Sequence, residues 1–169
     1  MLHKPESNRW TIGRVSIGFA SIYAVLALAW FWINPPSFGD DTYITATYVR
    51  NLLDGKGLLF DASARVWGFT SPAHVGILSL FGMMGISVLW ACVLVDVLCA
   101  ASILALGVCL GEKLLGTLGY GLALGALLMG ILPFYEFQGM ECHLVIAGQL
   151  SFLYLLITER VGWATLFAA

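Results

Sequence analysis

Pro72-Ala73-His74-Val75-Gly76-Ile77-Leu78-Ser79-Leu80-Phe81-Gly82-Met83-Met84-Gly85 is an uncharged run, and its reading decides how the whole chain is threaded. As a helix, about 14 residues reach only about 21 Å, against a hydrocarbon core of roughly 30 Å. The run is therefore expected to lie at an interface or re-enter, and not to span. One crossing more or fewer here would swap the sides of everything that follows.

The chain around it has 169 residues, 60% hydrophobic and 11% charged, with a mean hydropathy of +0.90. Soluble domains are about half apolar and about a quarter charged. That difference excludes both a water-soluble globule and a disordered chain, and the formal net charge of -2 excludes a nucleic-acid partner, which needs a basic face. An integral membrane protein remains. Cys92, Cys99, Cys109 and Cys142 have no metal-ligand spacing and are read as packing residues.

Working outward, the expected fold is an all-α, polytopic transmembrane bundle. Residues 1–14 carry Lys4, Arg9 and Arg14 and form the cytoplasmic N-terminus. Residues 15–34 form the first span, a retained anchor that closes on Trp30, Phe31, Trp32 and then Pro35-Pro36. Residues 35–85 form an external loop with two juxtamembrane helices, at about 41–54 and 72–85. Residues 86–111, 114–134 and 142–158 form three further spans, with Glu112 and Lys113 breaking the first two apart and a short external turn at 135–141. Residues 162–169 start a fifth helix too short to cross, as expected of the front part of a longer protein or of a truncated gene product. This threading puts Lys4, Arg9, Arg14, Lys113 and Arg160 inside, and both acidic segments outside, in keeping with the positive-inside rule.

The charges of the first loop are grouped. Asp40 and Asp41 precede Ile44, Tyr48, Val49, Leu52 and Leu53, which recur on one helical face, with Asp40 expected as N-cap and Gly55 as the stop. Such a helix is expected to lie on the membrane surface with its paired carboxylates at headgroup depth. Arg50, Lys56 and Arg65 follow in the same loop, and Glu141 returns to the same face. Ionised carboxylates near cations suit deprotonation of a hydroxyl beside an anionic leaving group; helix capping with a solvated turn is the plainer reading. Asp96 lies within a span and is expected to hydrogen-bond Ser102 or a neighbouring helix. His74 either packs or touches an acceptor, and His143 is read as an interfacial residue. Gly121 and Gly125 make a small face for tight helix packing.

Residues 40–72 resemble the first external loop of the GT-C glycosyltransferases. Within that superfamily they are most similar to the bacterial polytopic group that includes the mycobacterial terminal arabinofuranosyltransferase. The matching residues are Asp40, Asp41, Tyr43, Arg50, Asn51, Gly55, Gly57, Val66, Gly68, Phe69, Thr70, Ser71 and Pro72, with a second match at Gly139-Met140-Glu141. Trp67, where relatives often carry Glu, and Cys142, where they carry Thr, depart from the pattern. The resemblance implies an enzyme of the bacterial cytoplasmic membrane. It would move a sugar from a polyprenyl-phosphate donor to a glycan, lipid or protein acceptor of the cell envelope on the outer face, with inversion.

In that scheme Asp41 is the base, and Asp40 orients the acceptor or helps hold a divalent metal (Mg or Mn). Arg50 or Lys56 screens the donor phosphate, Arg65 binds lipid phosphate or snorkels, and Glu141 closes the acceptor side, with His74 at matching depth as a further substrate contact or a packing residue. Two other readings stand beside it. One is a transport or flippase component using Asp96. The other is a non-catalytic small membrane subunit or truncated remnant.

Overall fold

The computed structural model describes residues 7–61, 68–131, 139 and 141–158. Arg65, Glu136 and the start of a fifth helix at 162–169 lie outside them. Six helices follow one another: α1 (Ser7–Ile33), α2 (Asp40–Leu53), α3 (Pro72–Met83), α4 (Val88–Leu115), α5 (Leu118–Ile131) and α6 (Cys142–Ile157). Among the described residues the protein is all-helical. Two segments are long and apolar enough to cross a membrane, Ile12–Ile33 and Val88–Leu115. The first of these leaves Ile17, Ile22, Val25, Leu26, Trp30 and Trp32 exposed, an apolar flank that water would not tolerate at this extent and lipid would.

At 28 residues, about 42 Å long, α4 is the post on which the rest is hung. Helix α1 runs antiparallel to it: Phe31 packs with Val93 and Val97 at one end, and the Ser16 hydroxyl lies 3.4 Å from Cys109 Sγ at the other. A further antiparallel partner is α5. A Cβ on its Gly121 would lie 2.4 Å from the Val108 carbonyl oxygen of α4, and one on Gly125 would lie 2.9 Å from Val108 Cγ2. The small face expected from sequence is thus used within the chain, to bring two backbones together. From the start of α4, α6 leads away, its Ala147, Leu144 and Leu150 joining the core of Ala91, Val95, Cys99 and Ile103.

Two boundaries differ from the sequence reading. Glu112 and Lys113 do not end the helix, which continues through Leu115 to Gly116 in the left-handed conformation (φ 82°). The next helix begins at Leu118, not at 114. Glu and Lys are good helix formers, whereas the left-handed cap needs glycine. At α2, Gly39 takes the N-cap position without a side-chain bond, and Asp40 is the first helical residue instead. The stop at Gly55 is as expected: the Lys56 amide bonds the Asn51 carbonyl at 2.9 Å and the Gly55 amide bonds Leu52 at 3.1 Å, the pairing of a Schellman closure.

The 35–85 segment is a docked pair of helices. The apolar face of α2, with Ala46, Tyr48 and Val49 buried, packs with Val75 and Leu78 of α3 and with Val88, Cys92 and Val95 of α4. Sequence alone assigns that face to the membrane surface. In the fold its Ala46, Tyr48 and Val49 are covered by α3 and α4. Tyr48 ties the connecting segment in: its ring meets Phe69 edge-on at 4.9 Å and Phe60 at 5.9 Å, and its hydroxyl accepts the Gly68 amide at 3.0 Å.

Candidate functional site

The start of α4 gathers most of the described carboxylates of interest. Asp40 and Asp41 occupy the first turn of α2 and are exposed. Thr42, the next residue, turns inward and is buried. Against it sits Gly139, at a positive φ of 67°, where a Cβ would come within 2.8 Å of Thr42 Cγ2, 2.9 Å of Cys92 Cβ and 3.1 Å of Phe38 Cδ1. Both the dihedral and the crowding require glycine. Two residues on, Glu141 accepts a hydrogen bond from the Thr70 hydroxyl, just ahead of α3.

Asp96, one of the most buried residues at 1% exposure, holds this turn from below. One carboxylate oxygen accepts the Gly139 amide at 2.9 Å, and the other lies 3.2 Å from His143 Nδ1. A carboxylate in an apolar surround is tolerated when its oxygens are paired in this way. Of the two partners expected for Asp96, a neighbouring helix is the one found, through His143 of α6, while Ser102 bonds the Leu98 carbonyl. His143, read as an interfacial residue, is 4% exposed and closes the start of α6 onto α4. Sequence reasoning expected a bond to a neighbouring helix but did not identify Gly139 or His143 as the partners. The one visible signal was a lone aspartate inside an uncharged run.

His74 lies at the third position of α3. Its amide is fixed by the Ser71 hydroxyl oxygen at 3.3 Å and its ring is 1% exposed. Burial lowers its pKa below the ordinary 6.5, partly opposed by the negative charges of Asp96 and Glu141.

The expected cations are not brought to the carboxylates. Arg50 is exposed in the last turn of α2. Nine residues beyond Asp41, it is about 13 Å further along the axis and half a turn round. Lys56 follows the helix's far end and pairs with Asp54 at 2.8 Å, both exposed. Asn51, from the same stretch, serves the fold, since its amide donates to the Leu59 carbonyl at 2.7 Å and pins the chain beyond α2. Arg65 falls outside the described residues.

At the opposite end of the long helices lie Glu112 and the exposed Lys113 of α4, with the exposed Arg14 on α1. Among the described residues no three His, Cys, Asp or Glu side chains converge in a way that could hold a metal ion. What the arrangement offers chemically is a pair of carboxylates at an exposed rim, a hydroxyl-bonded glutamate two residues beyond the Gly139 that packs on Thr42, and a neutral buried imidazole. Neither the protein-family models, nor the curated proteins, nor the solved structures compared with this chain match it.

Proposed function

We propose that this chain forms the extracytoplasmic, catalytic end of a polytopic membrane glycosyltransferase of the GT-C kind, acting on a polyprenyl-phosphate sugar donor. One observation supports the reading above others. Two acidic segments, about 100 residues apart in sequence, meet at one end of two membrane-length apolar helices through the contact of Gly139 with Thr42. A lipid-linked donor is confined to the boundary between bilayer and water, and its reactive phosphodiester is presented at that depth. A rim of carboxylates at a helix end is where an acceptor hydroxyl would be activated.

Asp41 takes the proton of the acceptor hydroxyl. The acceptor oxygen forms its bond to the anomeric carbon from the face opposite the phosphate. The anomeric carbon–oxygen bond to phosphate breaks, and the phosphate leaves with the electron pair as a stable anion, so no strong general acid is needed. Asp40 orients the acceptor or is the residue available to a Mg or Mn ion, with the donor's phosphate oxygens supplying further ligands. With Arg50 and Lys56 at the far end of α2, screening of that phosphate falls to groups other than these two. In membranes containing the chain, sugar transfer from a polyprenyl-phosphate donor is expected to fall at least a hundredfold in Asp41→Asn, the scale of a lost general base. Equal turnover in both proteins would remove Asp41 as the base. No turnover in either would favour the non-catalytic subunit.

The transport reading draws on buried Asp96. Its bonds to Gly139 and His143 are those of a residue that fixes a turn, which favours the sugar-transfer reading.

A further inference from the structure

Among the described residues a single buried side-chain nitrogen or oxygen lacks a hydrogen-bond partner: Nε2 of His74. Leaving such a group unpaired costs about 1–3 kcal/mol, and a leucine or phenylalanine would fill the same space without that cost. The side chain's surroundings indicate what the nitrogen is for. On a helix the Cα–Cβ bond tilts toward the N-terminus, here toward Thr70 and Ser71. The Thr70 hydroxyl is bonded to Glu141, and both Glu141 and Asp96 act on the imidazole through their charge.

Two carboxylates beside a neutral ring make an unfavourable place for phosphate or any other anion. They suit a neutral group that can give a hydrogen to one partner and take one from another. A hydroxyl does both. Glu141 already holds a hydroxyl, that of Thr70, which identifies the type of group its carboxylate accepts. Thr70 is exposed and Glu141 half-buried, so this bond can be exchanged from the outside.

We propose that His74 and Glu141 form a subsite for the hydroxyls of a neutral carbohydrate. One sugar hydroxyl bonds His74 Nε2, and a second replaces Thr70 on the Glu141 carboxylate. The inference deepens the sugar-transfer reading, on which it rests only for naming this carbohydrate as the acceptor; binding itself requires no turnover.

The test uses the full chain in lipid nanodiscs with ring-nitrogen-labelled histidine. The chain has three histidines, and the His74 resonance is identified by its loss in His74→Leu. The probes are glycerol, the methyl glycosides of glucose, galactose, mannose and arabinose, and inorganic phosphate at matched ionic strength. At least one glycoside is expected to shift the His74 resonance saturably. Glycerol should do so more weakly and phosphate not at all. Glu141→Gln should weaken the glycoside about tenfold or more, since a bond to a charged acceptor is lost. If no glycoside moves His74, or phosphate moves it as strongly, the subsite is wrong. If Glu141→Gln binds as wild type does, the pairing with Glu141 is wrong. Sugar transfer measured in the same discs separates the two claims. Binding without transfer keeps the subsite and sinks the enzyme reading, whereas transfer with an unmoved His74 does the reverse.

Discussion

Removing the Asp96 carboxylate strands two groups at once, the Gly139 amide and the His143 ring. Asp96→Ala should therefore cost about 3–5 kcal/mol, the penalty for breaking a buried pair from one side. Adding His143→Ala should cost less than the two single losses summed. Denaturant unfolding of the micelle-solubilised protein measures both, and strict additivity would mean that the two side chains do not support each other. His74 gives a pH signature of definite sign. Its folded pKa lies below the ordinary 6.5, so between the two values the unfolded chain binds more protons. The contribution to stability is whole above about 6.5 and is lost as pH falls through the folded value. His74→Gln should flatten that acid limb in unfolding curves taken across the range, and an unchanged limb would assign it to other groups. Asp40 and Asp41 can be picked out from sequence because they are adjacent and open a helix. Asp96 cannot be partnered that way, since its partners lie 43 and 47 residues on, beyond any local pattern.

At the scale of elements, α2 and α3 are readable to within a residue or two, because their ends are written in backbone chemistry: glycine after α2, and Ser71 capping and Pro72 opening α3. The end of α4 is not, because charge on a helix surface is no obstacle to helix and marks no boundary. That α3 and α4 cover the apolar face of α2 is not legible either, for a different reason. An amphipathic face shows that something apolar covers it and says nothing of what. The α4–α5 hairpin gives a direct check on close packing. Gly121→Ala places a methyl 2.4 Å from a backbone oxygen of α4, which neither helix can avoid without moving apart, and should cost about 1–3 kcal/mol. Gly119→Ala is its control. A Cβ there meets nothing nearer than Thr117 Oγ1 at 3.9 Å, so the helix should gain about 0.5–1 kcal/mol. Thermal unfolding of the pair in one detergent decides it, and equal shifts would refute the close approach.

At the scale of the whole molecule, the carboxylate rim at one end of α4 and Arg14 and Lys113 at the other make a prediction about sidedness. Of the four cysteines, Cys142 is exposed beside the carboxylate rim while Cys92 and Cys99 are buried. In intact cells a membrane-impermeant maleimide should label native Cys142. It should fail to label Lys113→Cys in a Cys142→Ser background until the membrane is opened. Labelling of Lys113→Cys in intact cells would put the two ends of α4 on the wrong sides. The order of helices, two of them long and apolar enough to cross a membrane, is legible because the lengths of apolar runs are plain in the sequence. The convergence of particular residues at the rim is not, because it depends on helix rotation, which a hydrophobic pattern leaves free.

Gly139 also bears on motion. Where it sits, parts of α2, α4 and the segment before α2 are kept apart by bare main chain alone, with no rotamer there to swing aside. A push on any of the three is handed on instead of being absorbed, as expected of matter packed at crystal density. Opening at this end would therefore be a concerted shift of several helices, and freezing any one of them should still the others.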